Sequence, residues 1–231
     1  MATSQTAEQA KARNIDTMGP VLGAQYSELW QRVVTIRIYW NEYVELFGKK
    51  SSRVDLMNQA APAFFQMLQH ELWDTVLLRM ARLTDKPEIK GQKNLTIYNL
   101  LPLIKDEPLR AAVEQLIGTV RDKTKFCRAW RDRRIAHDDL ALALGDKKAR
   151  AVEGVTVLKM NDALDAIESV MKAVHSHYLD ADMMFDTPGP RPHGAIELLY
   201  LLRDGIKQRD ERRKRIISGK PNEDDLKRDE L

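Results

Sequence analysis

Apolar residues recur at helical spacing along the first third of the chain. Eight of them, alternately four and three positions apart, fall on one face of a helix: Leu22, Tyr26, Leu29, Val33, Ile36, Trp40, Tyr43 and Phe47. A second stripe begins beside Pro62. The proline ring suits the first turn of a helix because no amide donor is needed there. This stripe consists of Ala61, Phe65, Leu68, Leu72, Val76, Met80 and Leu83. Both stripes predict long helices with one buried side.

The rest of the chain shows further helix signals and few strand signals. The predicted helices are a short one at about 95–101, a third long one from Asp106 to about Ile135, a fourth from Asn161 or Asp162 to about Tyr178, and a last one from about Gly194 to Ile217. Val155–Leu158 is suited to a brief extended segment, but no partner strand is evident. These patterns predict an all-α, up-and-down helical bundle.

Length and composition favour one soluble domain. The chain has 231 residues, of which 43% are hydrophobic and 31% charged, as is typical of a globular protein with a substantial core. Its 11 Gly and 9 Pro are fewer than average, which again favours long helices. We expect residues 1–18 to be a flexible lead-in, residues 19–217 a single helical domain, and residues 218–231 a charged tail.

Several classes of protein are excluded by the sequence. No apolar run approaches the ~20 residues that span a bilayer, and the polar stretch from Met1 to Asn14 does not resemble a signal peptide. One cysteine, Cys127, allows neither an intramolecular disulfide nor a cysteine-based zinc site. We therefore expect a soluble cytoplasmic protein without a membrane segment, a metal ion or a cofactor.

Positive charge is concentrated in one segment. The net charge of the chain is only +3, but residues 121–135 contain seven basic and two acidic residues. Phe126 and Trp130 lie between the basic positions, a pattern typical of a helix that contacts a phosphate backbone. A solvated helix whose aromatic residues enter the core explains the same pattern. Both interpretations stay open at this point.

Arg131 and His137, at the end of this segment, have the clearest chemical potential. Arginine holds a phosphate through two N–H groups, and histidine transfers protons near neutral pH. RNA cleavage without a metal needs one group to assist attack by a ribose 2′-hydroxyl and another to stabilise charge on phosphorus. Six residues of ideal helix, however, leave the two side chains ~120° apart. Either the helix ends near His137, or a second copy of the motif completes the site.

Neighbouring basic residues are candidates for the same role or an assisting one. Arg133 and Arg134 precede His137 by four and three positions and share its helix face, so they compete with Arg131 for the phosphate. The residues predicted to bind RNA are Arg121, Lys125, Arg128, Arg133 and Arg134.

Other polar and reactive residues have structural explanations. Arg79, Arg82 and Asp85 either line the same cleft or form a salt-bridged helix end. His175 and His177 lie about 200° apart on a helix and do not share a metal ion. Cys127 is interpreted as a small core residue. The run Arg212–Arg215 is interpreted as part of a solvated tail.

The segment Arg131-Asp132-Arg133-Arg134-Ile135-Ala136-His137 resembles the signature of HEPN domains, which are helical ribonuclease modules of prokaryotic defence and toxin systems. About residues 20–180 are similar to one branch, the AbiU-type abortive-infection proteins. The similar segments are Trp40-Asn41-Glu42-Tyr43, Leu46-Phe47-Gly48, Ala61-Pro62-Ala63-Phe64-Phe65, Leu78-Arg79, Arg82-Leu83-Thr84-Asp85 and Lys93-Asn94-Leu95-Thr96.

The resemblance implies a HEPN-type bundle with extra N- and C-terminal helices. It implies a metal-independent endoribonuclease of phage defence (abortive infection) or of a toxin–antitoxin system, with RNA as substrate and an antitoxin protein as a further partner. Arg131 and His137 would be the catalytic pair and Asp132 the polar orienting residue, in a homodimer with a composite active site. Alternatively, the chain is an inactive HEPN module that binds RNA or a partner protein in a regulatory role, or a purely structural helical partner.

Overall fold

The described part of the protein is built almost entirely from helices. A computed structural model describes residues 6–135, 144, 154–179 and 193–226. The α-helices in these residues are α1 (Ala7–Met18), α2 (Pro20–Tyr43), α3 (Ser51–Ala60), α4 (Pro62–Leu83), α5 (Glu107–Lys123), α6 (Lys125–Trp130), α7 (Val157–Leu179) and α8 (Ala195–Ile217). The prediction of an all-α bundle is confirmed.

Short elements connect the helices. In the residues that the structure describes, π-helical turns follow α2 and α6 at Val44–Gly48 and Arg131–Ile135. The 3₁₀ turns in the same residues are Ile97–Asn99, Leu101–Leu103 and Asp224–Leu226. The sheet structure in the described residues is a small antiparallel hairpin of β1 (Glu88–Ile89) and β2 (Gln92–Lys93). Lys90 and Gly91 form its turn with φ of 50° and 81°, as a tight hairpin turn requires.

The chain forms two compact units. The first comprises Met1–Asn41 and Leu72–Thr187, and the second Glu42–Glu71 and Pro188–Leu231. One helical domain over residues 19–217 stays a prediction. The basic segment lies in the first unit.

The core of the first unit is built from the predicted stripes. In α2, Leu22 is 4% exposed and the next five stripe residues are at most 1% exposed. Helices α5 and α7 pack against each other. The residues that they bury completely or almost completely are Val113, Ile117, Val120, Met160, Leu164, Ile167, Val170, Met171 and Val174.

A buried ion pair crosses this core. The Arg37 Nε donates to Glu168 Oε1 at 2.6 Å, and the side chains are only 6% and 5% exposed. The Arg37 Nη2 also donates to Asp165 Oδ1 at 2.8 Å, and the Asp165 side chain is 65% exposed. Helices α2 and α7 are therefore joined by charge as well as by apolar packing.

Helix α7 begins earlier than the sequence predicts. Its first residue is Val157, so the prediction of an extended segment at Val155–Leu158 is wrong, as is a cap at Asn161 or Asp162. The Thr156 Oγ1 accepts from the backbone N–H of Lys159 at 3.2 Å, which is an N-cap contact. The two predicted caps serve tertiary contacts instead, because Trp40 Nε1 donates to Asn161 at 2.6 Å and Lys123 pairs with Asp162 at 2.8 Å.

The predicted flexible lead-in also requires correction, because residues 7–18 form helix α1. A capping box starts this helix, in which the N–H of Gln9 donates to Thr6 Oγ1 and the Gln9 side chain accepts from the N–H of Thr6. Its buried residues are only Asn14 and Met18, so its apolar stripe is too sparse for a pattern-based prediction. Helix α1 returns along α2, where Asn14 donates to Ser27 at 3.0 Å.

At Gly23 the backbone of α1 lies directly against α2, which leads to a stability prediction. A Cβ there would lie 2.3 Å from the carbonyl oxygen of Asn14 and 2.6 Å from the Cα of Ile15. We expect Gly23→Ala to lower the free energy of unfolding by about 1–3 kcal/mol, since backbone must move to make room. Urea unfolding would measure this.

Gly118 in α5 provides the matched control. A Cβ at this position would meet no atom within 4 Å, and the residue is exposed on the helix. Gly118→Ala should raise stability by about 0.5–1 kcal/mol through helix propensity alone. Equal stability of the two variants would contradict the close approach at Gly23.

The second unit contains α3, the π turn Val44–Gly48 and α8, which pack together. The backbone N–H of Ala195 donates to the Glu42 carboxylate at 2.6 Å, and Arg53 donates to Glu45 at 2.6 Å. The first of these contacts fixes the start of α8, and the second joins α3 to the π turn.

The predicted solvated tail is partly folded. Asp225 is 4% exposed and accepts two hydrogen bonds from Arg215, at 2.7 and 2.6 Å. Arg212 donates to the Asp225 carbonyl. The interpretation of Arg212–Arg215 as solvated is therefore wrong for these two arginines, because the chain turns back at 224–226 to meet them.

Candidate active site

The basic segment is not one continuous helix. Helix α5 ends at Lys123, α6 covers Lys125–Trp130, and a π-helical turn covers Arg131–Ile135. The Thr124 hydroxyl donates to the Val120 carbonyl at 2.7 Å at the break. The predicted long helix from Asp106 to about Ile135 is thus helical along this range but interrupted. A π turn inside a helix is frequent at functional sites, and here it carries Arg131 and Asp132.

Arg131 is held by two carboxylates. Its Nε donates to Asp132 Oδ1 at 2.7 Å, and its Nη1 donates to Asp85, just beyond the end of α4. The side chains of Arg131 and Asp85 are 20% and 16% exposed. Since a guanidinium has five N–H donors, these carboxylates use only part of its capacity within the described residues. The arrangement fixes the plane of the guanidinium and leaves it able to hold an anion.

Electrostatics keep this group charged. The hydrogen bond to Asp132, with that to Asp85, raises the pKa of Arg131 above its usual value, although partial burial opposes the shift. Burial raises the pKa of Asp85, but the N–H of Lys86 and the guanidinium of Arg131 outweigh it and the net pKa is lowered. Asp85 is therefore an anion at neutral pH, and Arg131 a cation.

Asp85 is the member of its sequence cluster that joins the site. Arg79 stacks instead on the ring of Tyr39, with its Cζ 4.9 Å from the ring centroid, and Arg82 is exposed. These three residues therefore do not act as one group, either as a cleft lining or as a salt-bridged helix end. Asp85 makes the helix-end salt bridge, and the group it holds is the predicted catalytic arginine.

Aromatic and sulfur groups of the segment serve packing. Phe126 is 7% exposed and Cys127 is fully buried. Burial raises the pKa of the Cys127 thiol to about 12, so it stays protonated at neutral pH. Trp130 is half-buried and lies under Arg134, whose Cζ is 5.5 Å from its ring. The core interpretation of Cys127 is confirmed.

A pocket of about 280 Å³ lies beside this segment. Its lining residues are Lys86, Pro87, Tyr98, Arg121, Thr124, Lys125 and Arg128. Three of the five predicted RNA-binding residues, Arg121, Lys125 and Arg128, are brought together here, whereas Arg133 and Arg134 do not line it. The sequence patterns did not reveal Lys86 and Tyr98. Lys86 directly follows the family-like segment that ends at Asp85, but only tertiary structure brings Tyr98 to Arg121, whose Cζ is 5.1 Å from its ring.

The predicted partner of Arg131 lies outside the described residues. His137 belongs to the stretch that follows Ile135, so the pairing of Arg131 with His137 stays a prediction. Asp132 is beside Arg131, at the position expected of an orienting residue. His175 is buried against the Tyr26 hydroxyl at 3.2 Å, and His177 is exposed.

A family comparison identifies the chain. Residues 21–197, more than half of its length, match the family HEPN_AbiU2, described as AbiU2. The chain belongs to the AbiU2 family of HEPN proteins. No curated protein and no solved structure matches it. The resemblance found in the sequence is thereby confirmed, and the match includes Asp85, Arg131 and His137.

Two further properties of this AbiU2-family chain concern its described residues. Within them, no helix is both long and apolar enough to cross a membrane. Within the same ranges, no three histidine, cysteine, aspartate or glutamate side chains come together as metal ligands.

Proposed function

We propose that this AbiU2-family protein is a metal-independent endoribonuclease that acts in the cytoplasm in abortive infection or in a toxin–antitoxin system. The observation that carries the proposal is Arg131. This arginine begins the family-like motif that ends at His137, and carboxylates from two different chain segments hold it. A cation fixed in this way at the end of a basic helix suits a phosphate in which charge develops.

The proposed reaction is an internal transfer at phosphorus. His137 accepts the proton of a ribose 2′-hydroxyl, and the 2′-oxygen forms a bond to the adjacent phosphorus. The bond to the 5′-oxygen breaks, that oxygen takes a proton from water, and His137 returns the proton of the 2′-hydroxyl to the solvent. Arg131 stabilises the added negative charge on the phosphoryl oxygens, while Asp132 and Asp85 keep its guanidinium in place. The products are a cyclic 2′,3′-phosphate and a 5′-hydroxyl.

A homodimer with a composite site is part of the proposal. The family resemblance implies that two copies of the motif face each other, so that Arg131 of one copy and His137 of the other form each site. Mixing Arg131→Ala protein with His137→Ala protein should then restore part of the activity that each lacks alone, because mixed dimers contain one intact pair. An antitoxin protein that covers this site would be the partner of such an enzyme.

Chelator resistance and loss of His137 test the activity itself. The protein should cut RNA in excess EDTA, and His137→Ala should reduce the rate by about 10²- to 10⁴-fold, since general acid–base catalysis is lost. Gel analysis of cyclic-phosphate ends would measure it, with exposed His177→Ala as the matched control. Cleavage that stops with EDTA, or that continues in His137→Ala, contradicts the mechanism.

A non-catalytic RNA-binding module is the second candidate. The basic pocket favours it, because phosphate binding needs no proton transfer. In that case RNA stays intact with wild-type protein, and its affinity falls steeply as salt rises. A structural protein would not bind RNA at low salt.

A further inference from the structure

All charged side chains that line the pocket beside α6 are cationic. Its lining includes Lys86, Arg121, Lys125 and Arg128 and no carboxylate from the described residues. These four side chains come from two separate stretches of chain, at the start of the hairpin and along α5 and α6. Lys125 is paired at 2.8 Å with Asp122, which does not line the pocket, so the excess of positive charge rests mainly on Lys86, Arg121 and Arg128. A concavity with such an excess attracts anions, and phosphates above all.

The pocket also contains an aromatic surface. Tyr98 lines it, and the Arg121 guanidinium lies over its ring at 5.1 Å from the centroid. Burial raises the pKa of Tyr98, so its hydroxyl is neutral at physiological pH. A phenol and a planar guanidinium together are the groups on which proteins stack unpaired bases of single-stranded RNA.

Three successive residues connect the pocket to Arg131. The Thr84 carbonyl accepts from Arg128 Nη2 at 3.0 Å, Asp85 holds Arg131, and Lys86 lines the pocket. On the other side, Lys125, Arg128 and Arg131 follow at intervals of three residues, which is ~4.5 Å of rise per step in an α-helix. The pocket and Arg131 are therefore neighbouring parts of one surface.

We propose that this pocket is a phosphate subsite for single-stranded RNA. It holds a backbone phosphate near the one held by Arg131, with the attached base or ribose against Tyr98. The volume of about 280 Å³ lies at the lower end of ligand sites, which suits part of one nucleotide and not a paired helix. A base in a duplex stays stacked and cannot reach Tyr98. The relation to Arg131 rests on the proposed function, but the subsite itself does not.

Binding measurements test the subsite separately from cleavage. In a His137→Ala background, the affinity for a labelled single-stranded oligoribonucleotide is measured by fluorescence anisotropy over a range of salt. Lys86→Gln with Lys125→Gln should weaken binding and reduce the slope of log K against log salt by about 0.7 for each phosphate that the protein no longer neutralises. Both lysines are exposed, so folding should be retained, as a melting curve would verify.

Lys105→Gln is the control for each pocket lysine replaced singly, because each of these variants loses one positive charge. Lys105 is exposed and does not line the pocket, so its removal should leave affinity and slope nearly unchanged. Tyr98→Leu should weaken binding by about 5- to 150-fold if a base stacks there. Pocket variants that bind like Lys105→Gln overturn the proposal. So does a duplex that binds as tightly as the single strand, or a mononucleotide that competes as well as the oligonucleotide.

The two proposals fail in different ways. A wild-type protein that cuts no RNA, while the pocket variants lose affinity, overturns the endoribonuclease and supports the subsite. A wild-type protein that cuts RNA, while the pocket variants keep full affinity, overturns the subsite and leaves the endoribonuclease standing.

Discussion

Replacing Arg131 by lysine is expected to slow RNA cleavage by about 10²- to 10³-fold, the usual effect of removing one preorganised donor at a developing charge. The positive charge is kept, so the loss comes from geometry. The guanidinium bonds Asp132 through Nε and Asp85 through Nη1, and it still presents further N–H groups in a fixed plane. A lysine has one nitrogen, and the two carboxylates would compete with the phosphate for it.

Arg134→Lys is the matched control for this substitution. Arg134 lies in the same π turn, and the sequence places it on the face of His137, but its guanidinium packs on Trp130. Single-turnover cleavage rates would compare the two variants, and melting curves would verify that both are folded. If Arg134→Lys cleaves RNA slowly while Arg131→Lys cleaves at the wild-type rate, Arg134 and not Arg131 holds the phosphate.

The largest effect on stability is expected from Arg37→Met. This change leaves the Glu168 carboxylate, 5% exposed, without its closest cation in the core between α2 and α7. Breaking a buried pair on one side costs about 3–5 kcal/mol, because a buried charge loses its partner. Lys172, whose Nζ lies 3.9 Å from Glu168 Oε2, offsets part of this charge, so we expect the lower end of that range. Urea unfolding at neutral pH would measure the loss. The double variant with Glu168→Leu should recover most of it, since apolar residues of similar size replace buried pairs well.

The pH dependence of this loss follows from Glu168. Burial raises its pKa above the usual 4.5, and the opposing hydrogen bond and charge of Arg37 limit the rise. A carboxyl with a raised pKa in the folded state holds its proton more tightly when folded, so it lowers stability as pH rises above 4.5. Without Arg37 the pKa rises further. The deficit of Arg37→Met should therefore be larger at pH 7 than at pH 5, and a pH-independent deficit would show that lost packing dominates.

The long helices were predictable because their burial is periodic. In α2 the stripe from Leu22 to Trp40 is buried at every predicted position. Helix α1 was missed because a capping box and a glycine contact stabilise it instead of an apolar stripe. The start of α7 was placed late because Asn161 and Asp162 look like caps but bond Trp40 and Lys123. Local pattern cannot distinguish a cap from a tertiary contact made by the same side chain.

The candidate site shows the same division. Charge density located Arg121, Lys125 and Arg128, and the motif located Arg131 and Asp132. Tyr98 and Lys86 line the pocket only because the segment after α4 packs beside α5 and α6. Patterns of neighbouring residues in the sequence do not indicate this packing. The sequence offers Asp85 as a candidate together with Arg79 and Arg82, but its contact with Arg131, 46 positions away, is a property of the fold.

The stretch Thr84-Asp85-Lys86 allows no variation in length. Each residue meets a different target, respectively Arg128, Arg131 and the pocket, so a residue inserted or deleted within the stretch would break at least one of the three contacts. The hairpin that follows is closed by its own bonds, with the Asn94 N–H donating to the Pro87 carbonyl at 2.7 Å. A residue inserted at the hairpin turn, between Lys90 and Gly91, therefore leaves these three contacts in place, whereas one inserted within Thr84–Lys86 does not.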